Sequence, residues 1–113
     1  MNIAKMISIV IPAYNEAQAI SKTLASLVAQ DFSGEFEVIV VDNNSSDGTA
    51  QVAKAFQDKL NLKVIHEPHQ GRGAARAAGF AAAQSRIICS TDADTIVPSN
   101  WLTEITAPYP SLV

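Results

Sequence analysis

The sequence FEVIVVDNNSSDG (Phe36–Gly48) decides the fold of this 113-residue chain. Its first six residues are mostly Val and Ile, with one glutamate among them, and such a run is typical of a strand buried on both faces of a sheet. Asp42–Gly48 then collects residues that favour turns and helix caps, so a helix should begin at Ser46 or Asp47. The segment therefore predicts a strand, a loop and a helix in succession.

The same succession is predicted on both sides of this segment. Met6–Ile11 (MISIVI) is another apolar run, closed by Pro12. Asn15, with Gln18 three residues later, predicts the capped start of the helix that follows. The other predicted features are core-facing Ile20, Leu24, Leu27 and Val28 on that helix, core-facing Val52, Phe56 and Leu60 on the next, strands at Leu62–His66 and Arg86–Ser90, and helices at Ala74–Gln84 and from about Ser99.

Strand and helix alternate along the whole chain, which is the pattern of an α/β fold with a mostly parallel sheet and right-handed crossovers. We predict a Rossmann-like, three-layer α/β/α architecture in which residues 1–113 form one domain. Sheets of this kind bind ligands beyond the carboxyl ends of their strands. The polar residues that follow each predicted strand are therefore the candidate site residues.

The bulk composition argues against several classes of protein. The net charge is −3 and no run of Lys or Arg occurs, which argues against a nucleic-acid-binding surface. Cys89 is the single cysteine, so no internal disulfide can form, and its apolar neighbours predict a small core residue. No apolar run is long enough for a signal peptide or a membrane span. We therefore expect a cytoplasmic protein with no nucleic-acid partner.

Asp92-Ala93-Asp94 follows the last predicted strand and is the most specific single motif. Two carboxylates at this spacing are suited to one hard divalent cation. Facing a diphosphate without a cation, each carboxylate–phosphate pair at about 4 Å would repel by roughly 4 kcal/mol at an effective dielectric constant of about 20. A divalent ion reverses the sign of that interaction. The motif therefore predicts Mg2+ or Mn2+ beside a phosphate ligand, and the alternative is a solvated turn.

Residues at the other strand ends have both binding and structural interpretations. Asp42 is able to accept hydrogen bonds from a planar base such as uracil, or to serve as a turn carboxylate. Tyr14 is placed to stack on a base, or to be a half-buried surface aromatic. Arg72 and Arg76, four residues apart at a glycine-rich helix start, favour phosphate binding or are solvated arginines. Glu16 either lies near the ligand or stabilises a helix N-terminus electrostatically.

Four blocks, each after a predicted strand, together resemble family 2 glycosyltransferases, which have the GT-A fold. The four occur in the order of that family and cover nearly the whole chain. They are Ile7–Glu16 (ISIVIPAYNE), Val40–Thr49 (VVDNNSSDGT), Gln70–Arg76 (QGRGAAR) and Thr91–Asp94 (TDAD).

The resemblance implies transfer of a sugar from a nucleotide-diphosphate sugar, with UDP favoured over GDP, to a saccharide or lipid-carrier acceptor. The transfer would be metal-dependent and inverting, as in cell-wall or polysaccharide biosynthesis. The residues implied to hold the nucleoside base are Pro12, Ala13, Tyr14 and Asp42. The full set implied for nucleotide binding is Pro12, Ala13, Tyr14, Glu16, Asp42, Asn44, Arg72, Arg76, Asp92 and Ala93, and the set implied for Mn2+ or Mg2+ is Asp94 and Asp92.

The family's general base and acceptor-binding elements lie beyond its DxD motif, and this chain continues for 19 residues after Asp94. We therefore expect a donor-binding domain cut before the acceptor-binding half, with the catalytic base outside it. Apolar surface uncovered by such a cut would favour a homodimer. Membrane association, peripheral at the inner face, would come only through the missing parts. His69 and Ala77 depart from the family pattern, which usually has Asn at both places.

Three alternatives compete with this interpretation. The same scaffold also suits a non-catalytic nucleotide-binding or interaction module. A haloacid-dehalogenase-like phosphatase also has a DxD, but it requires Thr or Val where Ile96 stands and places its motif after the first strand. A nucleotide-sugar pyrophosphorylase requires a glycine-rich loop after the first strand, whereas residues 12–16 contain no glycine.

Overall fold

The computed structural model describes residues 7–109, in which four strands alternate with four helices. Met6, predicted to open the first strand, and the two ends of the predicted domain (1–6 and 110–113) lie outside the described residues. In chain order the elements are β1 (Ile7–Ala13), α1 (Ile20–Val28), β2 (Phe36–Asp42), α2 (Thr49–Lys54), β3 (Leu62–His66), α3 (Arg72–Ala82), β4 (Ile87–Ser90) and α4 (Trp101–Thr106).

The four strands form one sheet in the order β3-β2-β1-β4, and all three neighbouring pairs are parallel. Ile7 of β1 lies opposite Phe36 of β2 on one side and Ile87 of β4 on the other. The chain thus moves outward from β1 to β3 and then returns to the far side of β1. The predicted α/β class with a parallel sheet is confirmed.

Helices cover both faces of the sheet. On one face, Ile9 and Ile11 of β1 pack in a fully buried cluster with Leu24 of α1 and Leu102 of α4, and Ala53 of α2 belongs to the same cluster. On the other face, a second cluster joins the sheet to α3 through Val10, Ile39, Val41 and Ala75. This arrangement confirms the three layers, because crossovers that run in opposite directions along a sheet place their helices on opposite faces.

Four details of the helices differ from the prediction. Asn15 does not cap α1, which begins at Ile20, because Asn15 has a φ of 52° and lies in the preceding loop. Val28 was predicted to face the core but is 42% exposed, since it lies about 100° around the helix from buried Leu27. Leu60 is buried as predicted, although it follows the end of α2. The third difference is that α2 begins at residue 49 rather than at 46 or 47. The fourth is that α3 begins at residue 72 rather than at 74.

Cys89 lies on the edge strand β4 and packs, partly buried, against the first core cluster. Burial raises the pKa of its thiol to about 12, so the thiol is protonated at neutral pH. The predicted role as a small apolar residue fits this position. In the part of the chain that the structure describes, no helix has the length and apolar character needed to cross a bilayer.

Gly79 sets the distance between α3 and the sheet. A Cβ atom added there would lie 2.3 Å from Cγ1 of Val10 and 3.1 Å from Cγ2 of Val41. Both valines are fully buried and β-branched, so neither has room to move away. The glycine that interrupts this alanine-rich helix is therefore required for close packing.

We expect Gly79→Ala to lower the free energy of unfolding by up to about 2 kcal/mol, because an overpacking cost of about 1–3 kcal/mol is only partly offset by a gain in helix propensity of about 1 kcal/mol. Gly73→Ala, on the same helix, is the matched control, since a Cβ there has nothing within 4 Å. The control should be neutral or stabilising. Urea unfolding of both variants measures the difference, and a Gly79→Ala protein as stable as the Gly73→Ala protein would contradict the packing account.

Candidate functional site

A cleft of about 320 Å³ opens at the carboxyl ends of the strands. It lies where the strand order reverses around β1, the position at which parallel sheets bind ligands. Every strand contributes a loop to it. The lining residues are Pro12, Ala13, Tyr14, Glu16, Asn43, Gln70, Gly71, Arg72, Asp92, Ala93 and Asp94.

The loop after β1 is held by the loop after β2. The backbone N–H of Asn15 donates to Oγ of Ser45 at 2.9 Å, and the N–H of Glu16 donates to Oγ1 of Thr49 at 3.0 Å. In return, Oδ1 of Asn15 accepts from the N–H of Ser46 at 2.9 Å. Asn15 was predicted to cap α1, but its side chain is used in this contact between loops.

Asp47 joins the same two loops. Its Oδ1 accepts hydrogen bonds from the hydroxyl and, at 3.0 Å, from the backbone N–H of Thr49, and its Oδ2 accepts from the N–H of Ala17 at 3.3 Å. The hydroxyl of Thr49, followed by the backbone N–H groups, holds the pKa of Asp47 below its ordinary value of 3.8. The carboxylate thus accepts the first N–H of α2 and one N–H of the loop before α1, whereas the N-cap position of α2 is Gly48.

Tyr14 projects from the loop after β1 and is 51% exposed, although it lines the cleft. A large, half-exposed aromatic side chain at a cleft is suited to stacking against a planar ligand. Pro12 and buried Ala13 also line the cleft. The fixed loop therefore presents one aromatic ring at the mouth of the cleft.

Two arginines from the first turns of α3 approach the first aspartate of the DxD motif. Nη1 of Arg72 and Nη2 of Arg76 each lie 3.9 Å from Oδ1 of Asp92. Nε of Arg76 is buried without a hydrogen-bond partner. Gly71, which precedes this helix, has a φ of 137°, a conformation that favours glycine. The glycine loop thus turns α3 so that both guanidinium groups face Asp92.

The backbone of the DxD segment is held by a hydrogen bond from α1, and its two carboxylates face the cleft. Ala93 is buried, and its carbonyl oxygen accepts a hydrogen bond of 2.8 Å from the hydroxyl of Thr23 on α1. Asp94 is exposed, and the side chain of Asp92 is 45% exposed. Both line the cleft, so two carboxylates are available to one ion.

The donor set fits a magnesium-like ion. Within residues 7–109, no cluster of three or more His, Cys, Asp or Glu side chains is placed to hold a metal. Mg2+ is usually bound by one or two carboxylates together with water and substrate phosphates, rather than by a protein cage. Asp92 and Asp94 supply that number of carboxylates.

A sequence model described as Glycosyl transferase family 2 matches residues 8–110. This chain belongs to that family. As a family 2 glycosyltransferase chain, it resembles glycosyltransferase AglE of Haloferax volcanii, with 37% identity over 99 residues that cover 85% of this chain and 33% of AglE. Poly(ribitol-phosphate) beta-N-acetylglucosaminyltransferase TarS of Staphylococcus aureus is 35% identical over 103 residues, which cover 88% of this chain and 18% of TarS.

Solved structures of glycosyltransferases have the same fold. The crystal structure of S. aureus TarS in complex with UDP-GlcNAc aligns with a TM-score of 0.87 and 33% identity, covering 94% of this chain and 31% of that one. Mannosyltransferase PcManGT from Pyrobaculum calidifontis, in complex with GDP-Man and Mn2+, aligns with a TM-score of 0.82 and 28% identity, covering 95% of this chain and 33% of that one. This family 2 chain thus spans a third or less of the length of these relatives.

The structure brings most of the predicted site residues of this family 2 chain together. Asp42, Asn44 and Arg76 lie beside the cleft rather than in its lining. Oδ1 of Asp42 accepts from the N–H of Ser45 at 3.2 Å, and Asn44 is exposed with a φ of 64°. The binding roles of all predicted residues stay predictions. The cleft-lining residues outside the predicted binding set are Asn43, Gln70 and Gly71.

Asp47→Asn should destabilise the protein at neutral pH and much less in acid. The pKa of Asp47 is lower in the folded than in the unfolded state, so its ionised form stabilises the fold above about pH 4. That contribution is lost as the pH falls through the folded-state pKa. Urea unfolding between pH 7 and pH 3 measures it.

Asp58→Asn is the matched control, because Asp58 is exposed in the turn between α2 and β3. It should change stability little at any pH. A difference between Asp47→Asn and the unsubstituted protein that stays constant from pH 7 to pH 3 would show that ionisation of Asp47 contributes nothing.

Proposed function

We propose that this chain binds the donor in a glycosyltransferase that transfers a sugar from a nucleotide-diphosphate sugar to an acceptor. The proposal rests on the cleft at the reversal point of the sheet. An aromatic ring, a guanidinium group and the DxD carboxylates all line this cleft. The named complexes of two relatives, with UDP-GlcNAc and with GDP-Man and Mn2+, support the same ligand class. We propose UDP as the preferred nucleotide, as in the TarS complex.

The charges of the cleft support a requirement for a divalent cation. The charged residues of its lining are three carboxylates and one guanidinium, namely Glu16, Asp92, Asp94 and Arg72. A diphosphate would add negative charge to a site that is already negative, which is unfavourable without a cation. We propose that Asp94 and Asp92 hold Mn2+ or Mg2+. Such an ion stabilises a nucleoside diphosphate as a leaving group.

The remaining groups suit the rest of a nucleotide. Tyr14 offers a ring face to the base. Arg72 presents planar N–H donors, which match phosphate oxygens in pairs. Asp42 and Asn44 lie at the end of β2 and just after it, beside the cleft. We propose that both contact the base, although neither lines the cleft. Arg76 would replace part of its contact with Asp92 by one with the ligand.

Catalysis requires groups that we do not assign to this chain. We propose that acceptor binding and the general base of an inverting transfer belong to the part of the protein that corresponds to the remaining length of its relatives. Self-association and peripheral membrane attachment stay predictions. The proposal for residues 7–109 is therefore donor binding, which is testable on the chain alone.

Calorimetric titration with UDP and with GDP, each with and without Mn2+, tests this proposal. We expect UDP to bind in the presence of Mn2+, and Asp94→Asn to weaken that binding tenfold or more, which corresponds to about 1.4 kcal/mol, because the substitution removes one of the two carboxylate charges that face the ion. Asp58→Asn, which makes the same change at the other end of the sheet, should bind like the unsubstituted chain. A folded chain that binds neither nucleotide would overturn the assignment of the cleft as a donor site.

A further inference from the structure

Asn43 is buried at the end of β2, with 5% of its surface exposed, and all of its side-chain polar atoms are engaged. Nδ2 donates to the carbonyl oxygens of Glu67 at 3.0 Å and His69 at 2.8 Å. Oδ1 accepts from the N–H of Gly71 at 2.9 Å. The partners determine the orientation of the amide, because carbonyl groups only accept and a backbone N–H only donates.

The backbone of Asn43 extends this connection to a third segment. Its N–H donates to the carbonyl oxygen of Ala13 at the end of β1, at 2.8 Å. One residue therefore ties the end of β1, the end of β2 and the loop between β3 and α3. These three segments supply most of the cleft lining.

The loop held by Asn43 has few other connections to the sheet. The N–H of His69 and its Nδ1 bond within the loop, to Oε2 of Glu67 at 2.9 and 3.1 Å. The N–H of Glu67 donates to the carbonyl oxygen of Asp42 at 3.0 Å, and the side chain of Gln70 reaches Asn44 at a long 3.4 Å. The position of residues 69–71 beside the cleft thus depends on the hydrogen bonds of the Asn43 side chain.

We propose that Asn43 is a positioning residue for the donor site, which acts by fixing the Glu67–Gly71 loop so that Arg72 faces Asp92 across the cleft. The expected effect of Asn43 on donor affinity rests on the proposed function. Its expected effect on the position of the loop does not. The chemistry selects asparagine. The loop presents two acceptors and one donor, and a carboxylate of the same shape has no hydrogen to donate to the two carbonyl groups.

Asn43→Asp is the most specific test, because it retains the shape and the acceptor for Gly71 but replaces both N–H donors. At pH 8 the ionised carboxylate would face two carbonyl oxygens. The hydrogen-bonded backbone amides of Glu67, His69, Gly71 and Ala75 should then exchange with deuterium roughly tenfold or more faster than in the unsubstituted chain at the same pH. Amides of α2 should be unchanged. Asn61→Asp, an exposed site at the amino end of β3, adds the same charge as the control.

Lowering the pH separates positioning from a loss of packing. The carboxyl group introduced by Asn43→Asp would regain one O–H donor on protonation, and burial beside carbonyl groups would raise its pKa. The excess exchange in the variant should therefore shrink between pH 8 and pH 5, and the affinity for UDP with Mn2+, at least tenfold weaker at pH 8, should recover in parallel. The unsubstituted and Asn61→Asp proteins, measured at each pH, correct for the titration of the nucleotide.

The outcomes are distinct. Normal exchange of these four amides in folded Asn43→Asp would overturn the inference. Weaker nucleotide binding without faster loop exchange would also overturn it, because Asn43 would then be a direct ligand contact. Faster, pH-dependent loop exchange in a chain that binds no nucleotide would support the geometry and reject the donor site. If Asn43→Asp does not fold, the side-chain amide protons of Asn43 in the unsubstituted protein decide by nuclear magnetic resonance, since rapid exchange with water would contradict the three hydrogen bonds.

Discussion

The pairing of β1 with a parallel strand on each side is the constraint on which the rest of the structure depends. Because β1 lies between β2 and β4, the crossover that returns from β3 must pass over the opposite face. The loops after β1 and β4 therefore diverge and leave a cleft between them. β1 is buried on both faces, which is why its sequence is apolar at almost every position. Close packing of α3 at Gly79 completes the same arrangement from the second face.

The loops around the cleft divide their polar residues between two tasks. Asn43, Asp47 and Thr49 use their side chains to bind other loops, so that backbone N–H and C=O groups near the cleft are paired. Tyr14 and Asp94 are left exposed toward the cleft. Many side chains of the VVDNNSSDGT block thus stabilise the loops around the cleft by hydrogen bonds. Hydrogen-bonded loops of this kind hold ligand-binding groups in place before the ligand arrives, which reduces the entropy lost on binding.

The elements of this fold are predictable from the sequence because each strand is a short apolar run followed by turn residues. The predictions are wrong where a side chain bonds to a distant segment. Asn15 and Gln18 have the spacing of a capping box, yet Asn15 bonds to Ser46, 31 residues away, and α1 starts later. The sheet order was not predicted, since pairing between strands far apart in the chain leaves no local signal.

The candidate site shows the same limit. The rule that parallel sheets bind ligands at their carboxyl ends was enough to find Tyr14, Arg72 and the DxD pair. The role of Asn43 was not predicted because its partners are 24 to 28 residues along the chain, and nothing in a run of two asparagines distinguishes the buried one from the exposed one. The sequence would have indicated this role only if it had predicted a turn after β3 whose carbonyl groups required hydrogen-bond donors.

A nucleotide and a divalent ion are proposed to meet at the reversal point of the sheet. Paramagnetic broadening of backbone amide signals by Mn2+ in the presence of UDP, with Mg2+ as the diamagnetic reference, tests this placement. We expect the signals of Asp92–Thr95 and then of Tyr14 and Glu16 to be lost first, while those of Glu37 and Gln84 at the opposite end persist. Broadening that does not depend on UDP, or that centres on the hydrogen-bonded side chains of Glu67 and His69, would contradict this placement.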